Sequence, residues 1–352
     1  MKKLEVNVDI PYPIYIENGL LQKLGEYLPK KAKKICIITD SNVLSNYAEI
    51  LKDQVKGSGY DSMIIALPAG ESSKNFDNLS KIYEQMLNFK LTRSDLVIAM
   101  GGGVIGDLAG FVSASYLRGI DFIQIPTSLL AMVDSSVGGK VCVNLPQGKN
   151  LIGAFYHPKA VFIDPNVLST LPHLYFTDGM SEVIKYGCIF DKDFFDLLNN
   201  LTSREQVITN IEHIIYTCCD LKRKVVEEDE KDTGNRMLLN FGHSLAHAIE
   251  NFHNYTGITH GHAVAIGMYT TTLLAERAGI SKETLSDQIK NILLNHNLPI
   301  TLSQAKISKI DDTIKSAISN DKKNINGKLK EIVLDKIGTA KIIDIDLDLF
   351  YI

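Results

Sequence analysis

The sequence predicts an α/β N-terminal domain with a Rossmann-like parallel sheet suited to a nucleotide, followed by an all-α C-terminal domain. Three observations carry this. Short β-rich runs alternate with helical patterns through the first half, as βαβ units do. Past about Pro165 apolar residues recur at three and four spacing, the helical period. A glycine-rich loop follows the third strand and opens a helical pattern. With 352 residues, 45% of them hydrophobic, the chain exceeds what one core usually fills, and two domains are expected, 1–170 and 171–352.

The expected strands are KICIITD (34–40), SMIIALPA (62–69), DLVIAM (95–100), DFIQIPT (121–127) and AVFIDP (160–165). A helix, NFDNLSKIYEQMLNF, fills the gap between the second and third. In the second half DFFDLLNNL, IEHIIYTCCDLKRKVVEE, HAVAIGMYTTTLLAERAG and KETLSDQIKNILLNH read as helices. No repeat at a solenoid period and no Pro- or Ser-rich linker interrupts them.

A net charge of -4 and a pI near 6.2 leave no basic excess to neutralise a phosphate backbone, so nucleic acid is not an expected partner. Five cysteines with no CxxC pair fit neither a disulfide framework nor a zinc ribbon, and a reducing cytoplasm is the expected compartment. MKKLEVNVDI breaks into charge and alternation before an apolar leader forms, and no run approaches the roughly 18 apolar residues of a membrane span.

Gly101, Gly103 and Gly106 of GGGVIGD satisfy GxGxxG between a strand and a helix, where backbone N–H groups can approach a pyrophosphate at a positive helix end. The loop is the third βα turn rather than the first, and a tight turn without ligand is the bland alternative. Asp40, at the end of KICIITD, is a candidate acid for a ribose.

Five of the nine histidines lie between Asn240 and Val264: His243, His247, His253, His260 and His262. His243 and His247 are four apart and share a helix face, the spacing a metal or a shared substrate uses. HSLAH lacks the glutamate of the zincin motif. Imidazoles on a divalent ion usually want a carboxylate or a third histidine, and spacing does not rank Glu182, Glu228 and Glu250. The bland reading is a set of surface and capping histidines, and His253 reads as solvated surface. A second concentration is cationic. Lys140 and Lys149 sit in glycine-flanked, loop-like sequence, and Lys185, Lys222, Arg236 and Arg118 complete a set able to hold a substrate with two anionic ends.

The chain resembles the 3-dehydroquinate synthase family of the shikimate pathway. The resemblance rests on GGGVIGDLAGF, IPTSLLAMVDSSVGGK, GKNLIGAFYHP, GMSEVIKYG, DEKDTGNRMLLNFGHSLAHAIE and HGHAVAIGM, in family order across about residues 65–270. It implies NAD and a divalent metal, zinc or cobalt, in a cleft between the domains, and a homodimer. It makes Glu182, His243 and His260 the metal ligands. NAD would be held by Gly102, Gly103, Val104, Ile105, Gly106 and Asp107, with Asp40, Glu71, Lys74, Thr127, Ser128, Lys140 and Lys149. Substrate would meet Asp134, Lys140, Asn150, Lys185, Lys222, Arg236, Asn240 and His247, with Arg118 reaching it across the dimer interface. The family usually has an acid where this chain has His262, a glycine in place of Ala246, and an acid or proline in place of Ala69. The first departure leaves a fourth imidazole near the metal as an open possibility.

The implied reaction converts 3-deoxy-D-arabino-heptulosonate 7-phosphate to 3-dehydroquinate and phosphate. NAD takes a hydride, phosphate is eliminated, the hydride returns, the ring opens, and an aldol step closes the carbocycle. The rivals are another sugar phosphate cyclase, of inosose or valiolone type, a metal-dependent polyol dehydrogenase, and an NAD-sensing protein without catalysis.

Overall fold

In the computed structural model the described residues are 1–281, 284–319, 324–325 and 328–347. The chain divides into two compact units, Met1–Leu171 with Ile215–Lys231, and Pro172–Ile214 with Asp232–Ile352.

The first unit is built on a seven-stranded sheet. Its strands are β1 (Lys2–Val6), β2 (Tyr12–Ile16), β3 (Lys34–Asp40), β4 (Asp61–Leu67), β5 (Leu96–Gly101), β6 (Asp121–Pro126) and β9 (Val161–Ile163), in the order β1-β2-β9-β6-β5-β3-β4. All neighbours are parallel except the β1/β2 hairpin. Helices α1 (Glu49–Gly57), α2 (Phe76–Asn88) and α3 (Gly103–Ser115) are the connections. Alternate residues of β3 and β5 feed two opposite cores. Cys36, Ile38, Val97 and Ala99 pack with Leu79 and Ile82 of α2 and Leu108 of α3. Ile35, Ile37, Leu96 and Ile98 pack with Leu51 and Val55 of α1 and with Leu20 and Leu24. A strand covered on both faces reads as a continuous apolar run, which is why these strands were legible.

Two departures stand out in this unit. AVFIDP is strand only over Val161–Ile163, because the Asp164 carboxylate accepts N–H bonds from Asn166, Gly19 and Leu21 and starts a 3-10 turn at Pro165–Thr170. Lys140 and Lys149, read as loop residues, instead lie in an antiparallel hairpin, β7 (Lys140–Leu145) and β8 (Gly148–Phe155). Most of β8 is exposed, so burial alternation does not mark it as a strand.

The second unit is helical, as expected, with α4 (His173–Phe190), α5 (Lys192–Asn200), α6 (Arg204–Thr209), α8 (His243–Phe252), α9 (His260–Arg277), α10 (Ser286–Asn295) and α11 (Asp312–Ser319). Helix α7 (Ile211–Glu228) is the one helix whose residues divide between the units. Helix α4 is buried on every side from Phe176 to Ile189 and packs on α5 and α9. Its approach to α9 is close enough that a Cβ at Gly261 would collide with the Asp178 carbonyl. The all-α expectation needs one amendment. A small antiparallel sheet, β10 (Asn324–Ile325), β11 (Lys328–Lys336) and β12 (Thr339–Ile345), completes the unit. β11 and β12 are joined by a turn at Gly338, with φ 84°, that the helical reading passed over.

Candidate active site

In the second unit Glu182, His243 and His260 offer ligand atoms that all lie within 4.8 Å of one another. It is the one such group among the described residues. Three helices deliver them: Glu182 from α4, His243 from the start of α8, and His260 from the start of α9. The Nε2 atoms of both histidines stand 3.7 Å from Glu182 Oε1. On the far side of each ring the Nδ1 atom has its own acceptor. His243 donates to the Phe241 carbonyl at 3.1 Å and His260 to Glu250 at 3.2 Å. Nε2 is therefore the ring atom that each histidine turns to the carboxylate. Burial pulls the His260 pKa down, but Glu250 first, then Glu182 and Asp178, carry it up to about 9.

Glu182 is 1% exposed, and neither of its oxygens has a hydrogen-bond partner, although the Lys185 ammonium one turn along α4 pairs with it. A buried carboxylate facing the Nε2 atoms of two imidazoles suits a divalent cation, and zinc and cobalt both accept this donor set. His247 lies one turn after His243 on α8 and is exposed, its ring 5.6 Å from that of His243 and 6.3 Å from that of His260. His262 faces another way. Its Nε2 meets the Thr177 hydroxyl at 3.1 Å, and burial lowers its pKa, so it adds no fourth imidazole to the group. The reading of His253 as solvated surface is corrected, since it is half-buried and bonds the Ala305 carbonyl at 2.6 Å. Glu228 is exposed near the end of α7, and Glu250 stands one layer behind His260 rather than in the group. Arg236 is buried and Asn240 half-buried in a 3-10 turn, Asn235–Asn240, that leads to His243.

In the first unit the glycine loop joins β5 to α3, with Gly102 as the N-cap. No side chain caps this helix and its first turn carries no acid, so the positive end is left for a ligand. A Cβ at Gly103 would press on Ser135 at 3.0 Å and one at Gly106 on the Gln124 amide at 2.9 Å. The uncapped helix end fits a pyrophosphate, and the two glycines let α3 pack closely on Ser135 and Gln124. Behind it Lys74, 3% exposed, donates at 2.5 Å to both Asp107 and Asn150. Burial raises the Asp107 pKa, opposed by Lys74. The Cys142 thiol, pushed up to about 12 by burial and by Asp107, stays protonated and donates to Asp107 at 3.4 Å. Glu71 accepts from Asn144 at 2.7 Å and pairs with Lys149 at 4.0 Å. Thr127 donates its N–H to Gly101, and Ser128 takes the Ala131 N–H. Asp40 accepts from the N–H groups of Asn42 and Val43, and burial raises its pKa.

Asn150, expected at substrate, thus joins the Lys74 cluster through its side-chain oxygen. Asp134 and Lys222 form a second pair, with the Lys222 ammonium 2.9 Å from the Asp134 carboxylate and 2.6 Å from its carbonyl. Lys140 is exposed at the start of β7. Arg118 is exposed in a turn where Leu117 and Arg118 both have positive φ, 50° and 69°. Side-chain residues rarely adopt that region, so the projection of Arg118 is a specified feature. Lys322 and Lys323 of NDKKNING, either of which the family resemblance would bring to the substrate phosphate, lie outside the described residues. Sequence reasoning missed Cys142, Asn144 and the support given by Glu250. The alternation KVCVN was the available signal for the first two.

Two family models match end to end, 3-dehydroquinate synthase N-terminal over residues 64–178 and 3-dehydroquinate synthase C-terminal over residues 179–324. The 3-dehydroquinate synthase of Clostridium botulinum (strain Alaska E43 / Type E3) is 53% identical over 99% of this chain and 100% of its own length. That of Enterococcus faecalis (strain ATCC 47077 / OG1RF) is 40% identical over 97% of this chain and 96% of its own. Among solved structures, 2-deoxy-scyllo-inosose synthase complexed with carbaglucose-6-phosphate, NAD+ and Co2+ aligns with TM-score 0.89 at 26% identity, over 99% of this chain and 98% of that one. The 2-epi-5-epi-valiolone synthase from Streptomyces hygroscopicus subsp. jinggangensis 5008, with NAD+ and Zn2+ bound, shares the fold with TM-score 0.86 at 24% identity, over 99% and 96%.

Proposed function

The chain belongs to the 3-dehydroquinate synthase family, and we propose that it converts 3-deoxy-D-arabino-heptulosonate 7-phosphate to 3-dehydroquinate and phosphate, in the shikimate route to aromatic amino acids. The observation that carries this reading at the site is the convergence of His243 and His260 on the buried Glu182 carboxylate, whose oxygens have no hydrogen bond. The inosose and valiolone synthases share the fold at about half the identity of the dehydroquinate synthase relatives, which favours the dehydroquinate reaction.

The first unit is assigned the NAD and the second the metal. Gly102 to Gly106 and Asp107 would hold the pyrophosphate side of NAD, with Asp40, Glu71, Lys74, Thr127, Ser128, Lys140 and Lys149 around it. When bound, NAD takes up and returns a hydride, and the zinc or cobalt ion acts as a Lewis acid. Asp134, Lys140, Asn150, Lys222, Arg236 and Asn240 orient the hydroxyls and anionic groups of the sugar phosphate. Oriented donors of this kind are typically worth about 3 kcal/mol each in a closed site. Lys185 and His247 are assigned to proton movement, a reading supported by Lys185 being paired with Glu182 and His247 being exposed beside the ligand histidines. Arg118 is assigned to the substrate phosphate of the neighbouring subunit in a homodimer, since its guanidinium fork suits a phosphate. The compartment is assigned as the cytoplasm, whose reducing conditions suit five free, buried cysteines.

The test is direct. Purified protein with the heptulosonate phosphate, NAD and zinc or cobalt should release phosphate and dehydroquinate in equal amounts with no net NADH. Chelation should stop the reaction and added metal should restore it. NADH growing in step with product would replace this reading with a dehydrogenase. For Arg118, mixing Arg118→Ala with His243→Ala subunits should regain activity in mixed dimers, and mixed dimers without recovery would confine Arg118 to its own subunit.

A further inference from the structure

We infer that Glu250 is a positioning residue for the metal, acting through His260. The inference rests on the proposed metal reading of the Glu182 group and extends it outward by one layer. Glu250 lies seven residues after His243 on α8, two turns along, so one helix face carries both a ligand and the support of another ligand. Its carboxylate is buried, 3% exposed, and accepts the Nδ1–H of His260 at 3.2 Å. That bond leaves Nε2 of His260, the atom free to take a metal once its proton is displaced, facing Glu182 Oε1 3.7 Å away.

Two anchors therefore hold the third ligand. Asp178 takes the N–H of Gly261 at 2.6 Å and pins the first turn of α9, where the tight packing against α4 tolerates no side chain at Gly261. Glu250 then fixes the rotation of the ring on that anchored backbone. His260 needs this more than His243 does, since its side chain is 33% exposed against 10%. The supports also differ in kind. His243 leans on the neutral Phe241 carbonyl and His260 on a full negative charge, which makes its imidazole the stronger donor. Glu250 is not itself a ligand in this arrangement, because its oxygen lies on the Nδ1 side of the ring and outside the converging group.

The test titrates metal-stripped full-length protein with cobalt in competition with a chelator of known affinity, reading the visible absorption of the bound ion. Glu250→Ala should bind cobalt about 100-fold more weakly and Glu250→Gln, whose amide oxygen still accepts the Nδ1–H, about 10-fold more weakly, both with altered cobalt spectra. If the alanine variant does not fold, the near-isosteric glutamine variant gives the answer alone. Wild-type affinity and an unchanged spectrum in Glu250→Gln would overturn the inference, even if its thermal stability fell. A wild-type protein that binds no cobalt, or binds it equally well as Glu182→Gln, would instead overturn the metal reading on which the inference stands.

Discussion

Lys74 in the first unit and Glu182 in the second are both charged side chains shut away from water, 3% and 1% exposed. Their surroundings treat the charge differently. Lys74 is met by Asp107 and Asn150 at 2.5 Å, and Asp107 takes a further bond from Cys142. Glu182 has an ammonium beside it but no hydrogen bond to either oxygen, and the Nε2 atoms of two imidazoles stand 3.7 Å from its Oε1. Burying a charge costs several kcal/mol unless it is paired and hydrogen-bonded. The first cluster meets that demand with the protein's own groups, which preorganises Lys74 and Asp107 at the loop proposed for NAD. The second is paired with Lys185 but not hydrogen-bonded, which leaves room for an added cation.

The largest effect that separates the two belongs to Glu182. Glu182→Gln should lower zinc affinity by about 100-fold or more and remove turnover at ordinary metal levels, measured by metal content after dialysis. Undiminished zinc would erase the contrast. Lys74→Met should leave metal content alone but strand the buried Asp107 carboxylate, costing about 3 kcal/mol of stability and weakening NAD binding. Denaturant unfolding and NAD titration read the two consequences.

A pH titration sharpens the same comparison. In metal-free protein His260 is raised from 6.5 to about 9, so its contribution to stability is fully present below about pH 6.5 and is lost as pH rises through about 9. Metal affinity runs the other way, since the cation displaces that proton. Log affinity should climb by about one per pH unit between about 7 and 9 and then level off. A flat profile would mean that His260 is not a ligand. The smallest effect should come from His262→Gln, which exchanges one hydrogen bond to Thr177 for another and should change stability by no more than about 1 kcal/mol, with metal content intact.

Legibility in the sequence followed burial. Strands β3, β5 and β6 are covered on both faces and read as apolar runs, whereas the β7/β8 hairpin has an exposed second strand and read as loops. The sheet of β10 to β12 went unread because a helical period was expected to the end of the chain. For the site, five clustered histidines were visible, but their spacing could not choose among Glu182, Glu228 and Glu250. The choice is made by packing between α4, α8 and α9, which brings residues 182, 243 and 260 together. Family resemblance supplied what spacing lacked there. It could not show that His262 turns to Thr177, or that Glu250 stands behind His260, because both follow from ring orientation.

The central claim is that the second unit holds its metal between Glu182, His243 and His260, with both rings backed through Nδ1. An anomalous difference map from zinc-loaded crystals, recorded on either side of the zinc absorption edge, tests it most directly. One peak should stand among Glu182 Oε1 and the two Nε2 atoms, with Phe241 and Glu250 still on the Nδ1 sides. A peak on His247 or His262, or zinc bound through Nδ1 of His260 with Glu250 turned away, would contradict it.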